Sequence, residues 1–505
     1  MRIVTGAEMR SLERKAFETL GLSSLVVMEN AGSRIMEVLK AEFAPLETRR
    51  VHILAGPGNN GGDGLVVARQ LLALGARVKV YLAGDQKRSS KENAANLAIL
   101  QKLGADLAAV DFKQLQKLRW SLNFADLIID ALLGTGFSGK LEEEWAALVQ
   151  VVNEVQCPVV AIDCPTGVNS STGEVASEAI RAHLTINLGL LKLGNLLYPG
   201  RAHAGRNVVV DLGFPLQASG IRRELVGPEA LGWLPERQPW SHKGSHGHTL
   251  VVAGSVGYAG AAALCGRAVL RGGGGLVTVA VPEGVYNRFS PDELIVVPVP
   301  EAEGGTLGEG SLEKLRGLLA GKDVLAIGPG LGRSSQVVKV VQTLLSSWDG
   351  PAVIDADGLA ALSPEFLSSV PPAKRRQWVI TPHPGEMARL AASDPASVNA
   401  DRVGIAAQCA EQWGMVVVLK GAPTITASPA EAYINSTGNH GLATAGTGDV
   451  LTGLTAALLG QGLDPVRAGA LAAYVHGRAG DLAAERGARG LMAGDLLVFI
   501  QEILQ

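Results

Sequence analysis

The sequence predicts an α/β protein of two domains. At 505 residues the chain is too long for a single ordinary hydrophobic core. Short, continuous apolar runs alternate with helix-length segments in both halves, which is typical of βαβ units. This alternation lapses over residues 216–245, where prolines and a cluster of His, Gly and Ser interrupt it. We therefore expect domains at residues 1–215 and 246–505, joined by that linker.

Six short apolar runs in the N-terminal half follow an opening helical pattern and are predicted to be strands. They cover residues 51–55, 78–82, 127–130, 158–163, 184–187 and 208–211. Their hydrophobicity is continuous rather than alternating, which indicates strands that are buried on both faces. Helix-length segments separate them, so we expect a doubly wound parallel sheet with helices on both sides.

A second series of apolar runs begins after the predicted linker. The runs cover residues 249–253, 276–280, 324–327, 352–355, 378–381 and 415–419. Residues 435–448 interrupt the rhythm, and helical patterns fill the remainder of the chain. The C-terminal half is therefore predicted to be another α/β domain. The two halves do not share their glycine-rich motifs, so the sequence gives no sign of a duplication.

The composition excludes several classes of function. With 45 basic and 48 acidic residues the net charge is −3, which offers no basic field to nucleic acid or an anionic membrane. Its cysteines form no CxxC pair and are expected to be reduced, buried thiols. No signal-peptide run and no stretch long enough to span a bilayer are found. We expect a cytoplasmic homo-oligomer with small-molecule partners and no nucleic-acid or membrane partner.

Polar loops at the ends of the N-terminal strands form the first candidate site. Residues 56–61 read GPGNNG and formally match the GxGxxG dinucleotide turn, but residues 59–63 make the loop longer and more polar than that turn needs. Its side-chain oxygens also suit a cation. Asp130 and Asp163 end two further strands, and the carboxyl ends of parallel strands converge. Singly each carboxylate is more often a turn or cap residue, whereas together they favour a ligand site.

The second candidate site begins at residues 439–449, NHGLATAGTGD, which lead directly into an apolar helical segment. Gly446 and Gly448 permit a tight turn, so that N–H groups at the start of the helix can converge on a negative charge. Asp449 would lie in the first turn, where it could take a proton from a substrate hydroxyl. The alternative is an ordinary helix start, since Asp is common in first turns.

Four further polar or glycine-rich breaks end C-terminal strands, at residues 328–332, 355–357, 381–386 and 420–424. His383 lies between two prolines that stiffen its loop and favour a presented side chain, although a lone His is more often structural. Glu386 could orient Mg²⁺ through water or merely cap its helix. Lys420 could neutralise phosphate or remain a solvated lysine. With Asp449, these loops are predicted to form a phosphoryl-transfer site.

The N-terminal half, residues 1–215, resembles the epimerase domain of the NAD(P)HX repair enzymes. The similar segments are AEMR at 7–10, MENAG at 28–32, GPGNNGGDG at 56–64, DALLGTG at 130–136 and IDCPTG at 162–167. The resemblance implies a Rossmann-like fold that interconverts R and S configurations at C6 of a hydrated nicotinamide ring. It implies a K⁺ ion held by Asn60, Asp130 and Thr166. It places NADHX or NADPHX against Asn59, Asn60, Gly61, Gly62, Asp63, Gly134, Thr135, Gly136, Phe137, Ser138, Gly139, Lys140 and Asp163. Asp163 is our candidate for acid–base chemistry at C6.

Residues 225–505 resemble the ADP-dependent NAD(P)HX dehydratase, a member of the ribokinase-like superfamily. Similar segments include GSVGYAGAAA at 254–263, RGGGGL at 271–276 and the strand-end loops described above. The resemblance implies a ribokinase-like α/β sandwich that uses ADP and Mg²⁺. It places ADP against Lys420, Gly421, Ala422, Pro423, Thr424, Gly446 and Gly448. It places the hydrated dinucleotide against Ala262, Gly332 and His383, with Asp449 as the base.

Together the two halves resemble a bifunctional repair enzyme. ADP would phosphorylate the C6 hydroxyl, AMP would leave, and loss of phosphate would restore NAD(P)H, while the epimerase would supply the S form from R. One alternative is a ribokinase-like small-molecule kinase fused to a nucleotide-binding domain. In another, the N-terminal half binds ligand without catalysis, and a dehydrogenase would rest on the GxGxxG match alone. No residue decides between ADP and ATP.

Overall fold

The structure is a computed structural model that describes residues 1–214, 220–289 and 293–505. It divides into two compact units, Met1–Ile221 and Arg222–Gln505. Both units are α/β and each is built on a mainly parallel sheet, which confirms the predicted fold class. In the described residues no helix is both long and apolar enough to cross a membrane.

The N-terminal unit alternates strands and helices along the chain. Its strands are β1 (Ile3–Val4), β2 (Arg50–Ala55), β3 (Arg77–Leu82), β4 (Asp106–Ala109), β5 (Leu127–Ala131), β6 (Val159–Ile162), β7 (Leu184–Leu188), β8 (Leu191–Lys192) and β9 (Arg206–Val210). Its α-helices are α1 (Gly6–Leu20), α2 (Ser24–Phe43), α3 (Asn59–Leu74), α4 (Lys91–Lys102), α5 (Leu115–Leu122), α6 (Glu143–Asn153) and α7 (Arg201–Ala204). The described sheet has the order β4-β3-β2-β5-β6-β7-β9, with every pair parallel.

Two apolar clusters cover opposite faces of this sheet. Ile53 and Ile129 point to the cluster that holds α2 and α3, whereas Leu54 and Ile128 point to the cluster that holds α5 and α6. Because neighbouring strand residues face opposite sides, burial on both faces requires the continuous apolar runs seen in the sequence. The predicted doubly wound sheet is therefore confirmed.

The C-terminal unit carries a larger sheet. Its strands are β10 (Arg223–Val226), β11 (His248–Val252), β12 (Leu276–Pro282), β13 (Ile295–Val299), β14 (Glu301–Ala302), β15 (Thr306–Leu307), β16 (Val324–Ile327), β17 (Ala352–Ile354), β18 (Trp378–Ile380), β19 (Val416–Leu419), β20 (Thr424–Ala427) and β21 (Ala432–Asn435). Its α-helices are α8 (Ala259–Arg271), α9 (Glu283–Tyr286), α10 (Leu312–Leu319), α11 (Ser335–Ser347), α12 (Pro364–Ser369), α13 (Pro372–Arg375), α14 (Pro384–Leu390), α15 (Pro395–Ala400), α16 (Arg402–Trp413), α17 (Thr447–Gly460), α18 (Pro465–Ala484) and α19 (Leu496–Ile503).

The order of the larger sheet is β10-β21-β20-β19-β18-β17-β16-β11-β12-β13. Its pairs are parallel except for β20, which runs antiparallel to β19 and to β21. β11 is the first strand along the chain after the predicted linker. It lies between β16 and β12, so the strand order reverses there. In open α/β sheets the ligand crevice lies at the carboxyl ends of the strands beside such a reversal.

The connection between the units differs from the predicted linker at residues 216–245. Residues 216–219 lie outside the described residues, but β10 pairs with β21 and belongs to the C-terminal sheet. Short 3₁₀ helices, Pro228–Trp233 and Lys243–His246, follow it within the same unit. The prolines interrupt the regular pattern locally, but the chain already belongs to the C-terminal unit here. The irregular sequence is therefore part of that unit and not a separate linker.

Two candidate active sites

The predicted N-terminal loops line one cleft of ≈ 1180 Å³ at the carboxyl ends of β2, β5 and β6. Among the predicted residues the cleft is lined by Asn59, Asn60, Asp63, Gly134, Thr135, Gly136, Phe137, Ser138, Lys140 and Asp163. A second group lies beneath this surface or in turns beside it, namely Gly61, Gly62, Asp130, Gly139 and Thr166. A volume of this size accommodates a dinucleotide fragment rather than a single ion.

Gly61 and Gly62 serve packing in the first turn of α3. A Cβ on Gly61 would lie 1.9 Å from the Gly56 carbonyl oxygen, and one on Gly62 would lie 2.8 Å from Met28 Sδ. Neither position leaves room for a side chain, so both glycines allow the helix to start close to the loop. The structure thus places them behind the residues that line the cleft.

Asn60, Asp130 and Thr166 converge with backbone groups of Leu133. Thr166 donates through its hydroxyl and its N–H to the Asp130 carboxylate, at 2.7 and 2.8 Å. Asn60 donates to the Leu133 carbonyl at 3.1 Å, and its own Oδ1 is buried without a hydrogen-bond donor. A buried amide oxygen without a donor, beside a fully buried carboxylate, is an arrangement that a bound cation would satisfy.

Asp163 directly follows β6 and has a left-handed conformation, with φ of +67°. Its carboxylate forms an ion pair with Lys192, and it accepts an N–H from Leu188 at 3.1 Å. Lys192 is fully buried and also donates to the Leu188 carbonyl at 2.5 Å. Asn195 donates to the Asp163 carbonyl at 3.0 Å. These contacts hold a strained backbone at one orientation, which is a frequent feature of functional positions.

Two further carboxyl groups face the same cleft. Burial raises the pKa of Glu13 to about 7, with Asp163 adding to the effect while Lys192 and Arg10 oppose it. Burial raises the pKa of Asp63 well above its usual value, and Asp163 and Glu13 contribute. With a pKa of about 7, the Glu13 carboxyl is in part protonated at neutral pH, which general acid catalysis requires.

In the C-terminal unit, Asp449 lies in the first turn of α17, near a network of buried charges. Lys420 donates to Asp355 Oδ1 at 2.7 Å and lies 3.9 Å from Glu386 Oε2. Asp355 also accepts from the Thr452 hydroxyl at 2.7 Å. Because Asp355 is almost fully buried and holds Lys420 from one side, the ammonium is fixed beside the start of α17.

Burial raises the pKa of Asp449 to about 7. The carboxylates of Asp355 and Asp357 add to this rise, and the Lys420 ammonium opposes it. A carboxyl group with a pKa near neutrality can both accept and release a proton, which is the property of an efficient general base. The structure therefore gives Asp449 a special environment, unlike an ordinary exposed helix start.

The start of α17 is open to an anion. Gly446 caps the helix with φ of +91°, and no side chain caps its first N–H groups. His476 is half-buried, and desolvation lowers its pKa to about 4; its Nε2 lies 2.9 Å from the Thr447 carbonyl oxygen. A Cβ on Gly448 would lie 3.4 Å from Lys420 Nζ, so the glycine leaves the ammonium space. Free N–H groups and a nearby ammonium favour a bound phosphate.

His383 and Glu386 cap α14 reciprocally. His383 Nδ1 accepts the N–H groups of Gly385 and Glu386 at 3.0 and 3.2 Å, and Glu386 Oε2 accepts the His383 N–H at 2.8 Å. The His383 side chain is still 55% exposed, so its other ring edge is open to solvent. Both side chains thus have the structural role that the sequence left open, and Glu386 also faces Lys420.

The predicted substrate contacts Ala262 and Gly332 lie in different surroundings. Ala262 is fully buried, and its methyl group would lie 3.2 Å from a Cβ on Gly254, so it lies behind the surface of the site. Gly332 has φ of +82° and donates its N–H to Asp357 at 2.9 Å. Asp357 therefore positions the glycine turn that follows β16.

The predicted nucleotide loop, residues 420–424, is folded over the guanidinium of Arg402. Arg402 donates to the carbonyl oxygens of Lys420 at 2.8 Å and Pro423 at 3.2 Å, and to Asn399 at 2.7 Å. Gly421 has φ of +140°, and a Cβ on it would lie 2.5 Å from the guanidinium. A buried Arg whose partners are mainly backbone carbonyls fixes the path of the loop directly.

Sequence reasoning missed Glu13, Lys192, Arg402 and His476 and gave Asp355 no role. Each lies in a helix or at a strand end where a charged or polar residue is common, so the sequence around it gives no sign of a special role. Their importance depends on which residues lie near them in the folded chain. Lys192, for example, forms an ion pair with Asp163 that the sequence does not indicate. In the described chain no three His, Cys, Asp or Glu side chains gather as metal ligands.

The N-terminal α/β unit has a cleft lined by acidic and basic groups. The C-terminal α/β unit has an open helix start beside a lysine and a carboxyl group of raised pKa. Together they define an enzyme with two distinct active sites. A family model described as YjeF-related protein N-terminus matches residues 24–194, and one described as NAD(P)H-hydrate dehydratase matches residues 249–502. The chain belongs to the family of bifunctional NAD(P)H-hydrate repair enzymes.

Relatives of this name align over nearly the whole chain. The enzyme of Moorella thermoacetica is 44% identical over 515 residues, which cover 100% of this chain and 97% of the relative. The enzyme of Escherichia coli is 36% identical, over 98% of this chain and 93% of the relative. The ADP/ATP-dependent NAD(P)H-hydrate dehydratase of Bacillus subtilis, crystallised with ATP and Mg²⁺, is 31% identical with a TM-score of 0.49, over 55% of this chain and 97% of that chain.

Proposed function

We propose that the chain repairs hydrated nicotinamide dinucleotides. Its N-terminal unit interconverts the R and S forms of NADHX and NADPHX, and its C-terminal unit dehydrates the S form at the expense of ADP, giving AMP and phosphate. The observation that carries the proposal is the group of Asp449, Lys420 and Asp355 at the uncapped start of α17. It combines a base with an anion site, and the family membership supports both halves.

Hydroxide is a poor leaving group, so dehydration at C6 requires that the hydroxyl first be activated. Asp449 takes the proton of that hydroxyl as its oxygen attacks the β-phosphate of ADP. The first N–H groups of α17 and Lys420 stabilise the negative charge that develops on phosphate. AMP leaves, and the phosphorylated hydrate then loses phosphate from C6 and a proton from C5, which restores the reduced ring.

The residues of the nucleotide loop, 420–424, hold ADP, with Gly446 and Gly448 on the phosphates. When bound, Mg²⁺ would neutralise the phosphate oxygens, and the carboxylate of Asp357 is an oxygen ligand of the kind that Mg²⁺ prefers. Gly332 and His383 contact the hydrated dinucleotide. Ala262 supports that surface from behind, because it is fully buried.

The N-terminal cleft binds the R and S forms through residues 59–63 and 134–140. The unsatisfied Oδ1 of Asn60 and the buried carboxylate of Asp130 fit K⁺, and Thr166 completes the group. When bound, K⁺ would place a positive charge near the phosphates of the substrate and near the adjacent loop. Asp163, whose orientation Lys192 fixes, exchanges a proton with the hydroxyl on C6.

The dehydratase half is tested with S-NADHX, Mg²⁺ and ADP, using ³¹P NMR and the absorbance of reduced nicotinamide together. The proposal expects one AMP and one phosphate for each NADH formed, and a fall of about 100-fold or more in kcat for Asp449→Asn. Asp349→Asn, at an exposed position in the same unit, is the matched control. A phosphorylated product that accumulates without NADH would instead favour the small-molecule kinase. A parallel run with ATP decides the nucleotide.

A further inference from the structure

Four ionisable groups meet in the N-terminal cleft. Glu13, Asp63 and Asp163 line it, and Lys192 lies directly behind Asp163. Lys192 is committed to Asp163 and to the Leu188 carbonyl. Within the described residues neither Glu13 nor Asp63 has a hydrogen-bond or ion-pair partner.

The charges in this cleft do not balance if all three carboxyl groups are ionised. Arg10 also faces Glu13, but its guanidinium is hydrogen-bonded to the Thr135 carbonyl. Asp63 is only 8% exposed, so an ionised form there would be unpartnered and nearly dry. A proton on a carboxyl group removes this cost, which leaves the cleft with an acid beside the ionised Asp163–Lys192 pair.

We propose that Glu13 is a catalytic residue that donates and recovers a proton opposite Asp163 during epimerisation. This inference rests on the proposed function of the N-terminal unit. Glu13 belongs to α1 and Asp163 to the loop directly after β6, so the two groups reach the cleft from different elements. An acid and a base on separate elements can act on two atoms of one bound ring.

The substrate carries a hydroxyl and the ring nitrogen N1 on the same carbon, C6. Asp163 takes the hydroxyl proton, the oxygen lone pair forms a carbonyl, and the C6–N1 bond breaks with its electron pair moving to N1. Glu13 gives its proton to N1. Rotation about C5–C6 presents the other face of the carbonyl, N1 adds to it and returns its proton to Glu13, and Asp163 returns its proton to oxygen. No atom or electron is gained or lost.

Glu13 suits this role better than its neighbours. Lys192 is fully buried and already donates to two acceptors, so it cannot reach a ligand without breaking them. Asp63 lies in the first turn of α3, and burial raises its pKa well above its usual value and leaves it only 8% exposed, so it is less accessible to a ligand than Glu13. Glu13 is only partly buried, and its pKa of about 7 allows both loss and recovery of the proton in one cycle.

The test compares Glu13→Gln with Glu18→Gln, an exposed position on the same helix, in the full chain. The interconversion of R- and S-NADHX is followed without ADP, against a blank without protein. We expect Glu13→Gln to lower kcat by about 100-fold with KM within about threefold of the parent. Glu18→Gln should retain the parent rate. Glu13→Gln at the parent rate would overturn the inference.

A pH profile separates catalysis from a structural role. Glu13 must be protonated at the start, so the parent rate should fall as pH rises through about 7. The groups that face Glu13 and set this value are Asp163, Lys192, Arg10 and Asp63. In Glu13→Gln the rate should no longer fall with pH in this range. Glu13→Asp should recover part of the rate, with the descending limb of the pH profile displaced. A limb that persists in Glu13→Gln would contradict the proposal, and a parent chain without epimerase activity would overturn the proposed function itself.

Discussion

Asp449 shows how burial and neighbouring charge set the chemistry of one residue. Burial raises its pKa to about 7, Asp355 and Asp357 raise it further, and Lys420 lowers it. The group is therefore neutral below pH 7 and an available base above it. In the proposed reaction the rate of dehydration should rise as pH rises through about 7, because only the ionised form accepts the hydroxyl proton.

Removal of Lys420 should move this dependence in a known direction. Lys420 stabilises ionised Asp449, so Lys420→Met should raise the pKa of Asp449 and displace the ascending limb by about 1 pH unit or more to higher pH. The KM for ADP should rise as well, since the ammonium lies beside the predicted phosphate site. The measurement is the pH profile of dehydration with saturating S-NADHX. A limb that stays in place would show that Lys420 does not act on Asp449.

At this scale the sequence predicted residues whose chemistry is visible in a motif, including Asp449, Lys420 and Asp163. It could not predict Glu13 or Lys192, because neither belongs to a strand-end motif and their charges matter only through spatial proximity. It also left His383 and Glu386 with two readings. The reciprocal cap gives both side chains a structural role, and the ligand role of His383 stays a prediction.

Among the elements, the loop at residues 420–424 depends on α16. Arg402 donates to two of its carbonyl oxygens from below, and no carboxylate pairs with it in the described residues. The planar guanidinium of Arg402 carries several N–H donors and binds several carbonyl oxygens at once, which the single ammonium of a lysine cannot reproduce. The geometry of the nucleotide loop is thus set by a residue that need not touch nucleotide.

We expect Arg402→Lys to raise the KM for ADP by about 10-fold while kcat at saturating ADP falls less, because the loop is displaced but Asp449 is intact. The free energy of unfolding should fall by about 1–3 kcal/mol, since buried carbonyl oxygens lose donors. Steady-state kinetics and chemical denaturation measure the two effects. Arg316→Lys, at an exposed position of α10, is the control. An unchanged KM for ADP would remove the positioning role.

The start of α3 offers a steric test. A Cβ on Gly61 would meet the Gly56 carbonyl oxygen at 1.9 Å, whereas one on Gly58 would meet nothing within 4 Å. We expect Gly61→Ala to lower the stability of the N-terminal unit by about 1–3 kcal/mol and to impair epimerisation. Gly58→Ala should leave both close to the parent. Thermal unfolding of the two variants provides the comparison, and equal melting curves would contradict the packing role of Gly61.

Several strands that sequence reasoning missed lie at sheet edges. β4 and β10 are edge strands of mixed polar and apolar sequence, so no continuous apolar run marks them. β13 is an edge strand as well, but its sequence IVVPV is apolar and could have been predicted. β20 and β21 are short and antiparallel, and they fall in the stretch where the βαβ rhythm ends. The central strands, buried on both faces, were predicted correctly because their sequence must be continuously apolar.

For the whole molecule, each unit has its own sheet and apolar core, and each site is built within one unit. The fold class followed from the rhythm of apolar runs, whereas the boundary did not, since β10 lies within the predicted linker. Irregular sequence and a domain boundary are different things, and only strand pairing distinguishes them.

Separate sites should respond separately to ions. Replacement of K⁺ by tetramethylammonium should lower epimerisation by about 10-fold or more, because Asn60 Oδ1 and Asp130 lose the cation that satisfies them. Dehydration of pure S-NADHX should keep its rate, since its proposed base and anion site lie in the other unit. The two assays are run on one preparation with Mg²⁺ held constant. Equal loss of both activities would contradict a K⁺ site confined to the N-terminal cleft.

The most direct measurement of the central claim is a single progress curve. The full chain is given a mixture of R- and S-NADHX with Mg²⁺, K⁺ and ADP, and the absorbance of NADH and the amount of AMP are followed to completion. The account predicts conversion of the whole mixture, with one AMP for each NADH. A curve that stops at the S fraction would contradict the epimerase assignment, and an absence of NADH with either ADP or ATP would contradict the dehydratase assignment.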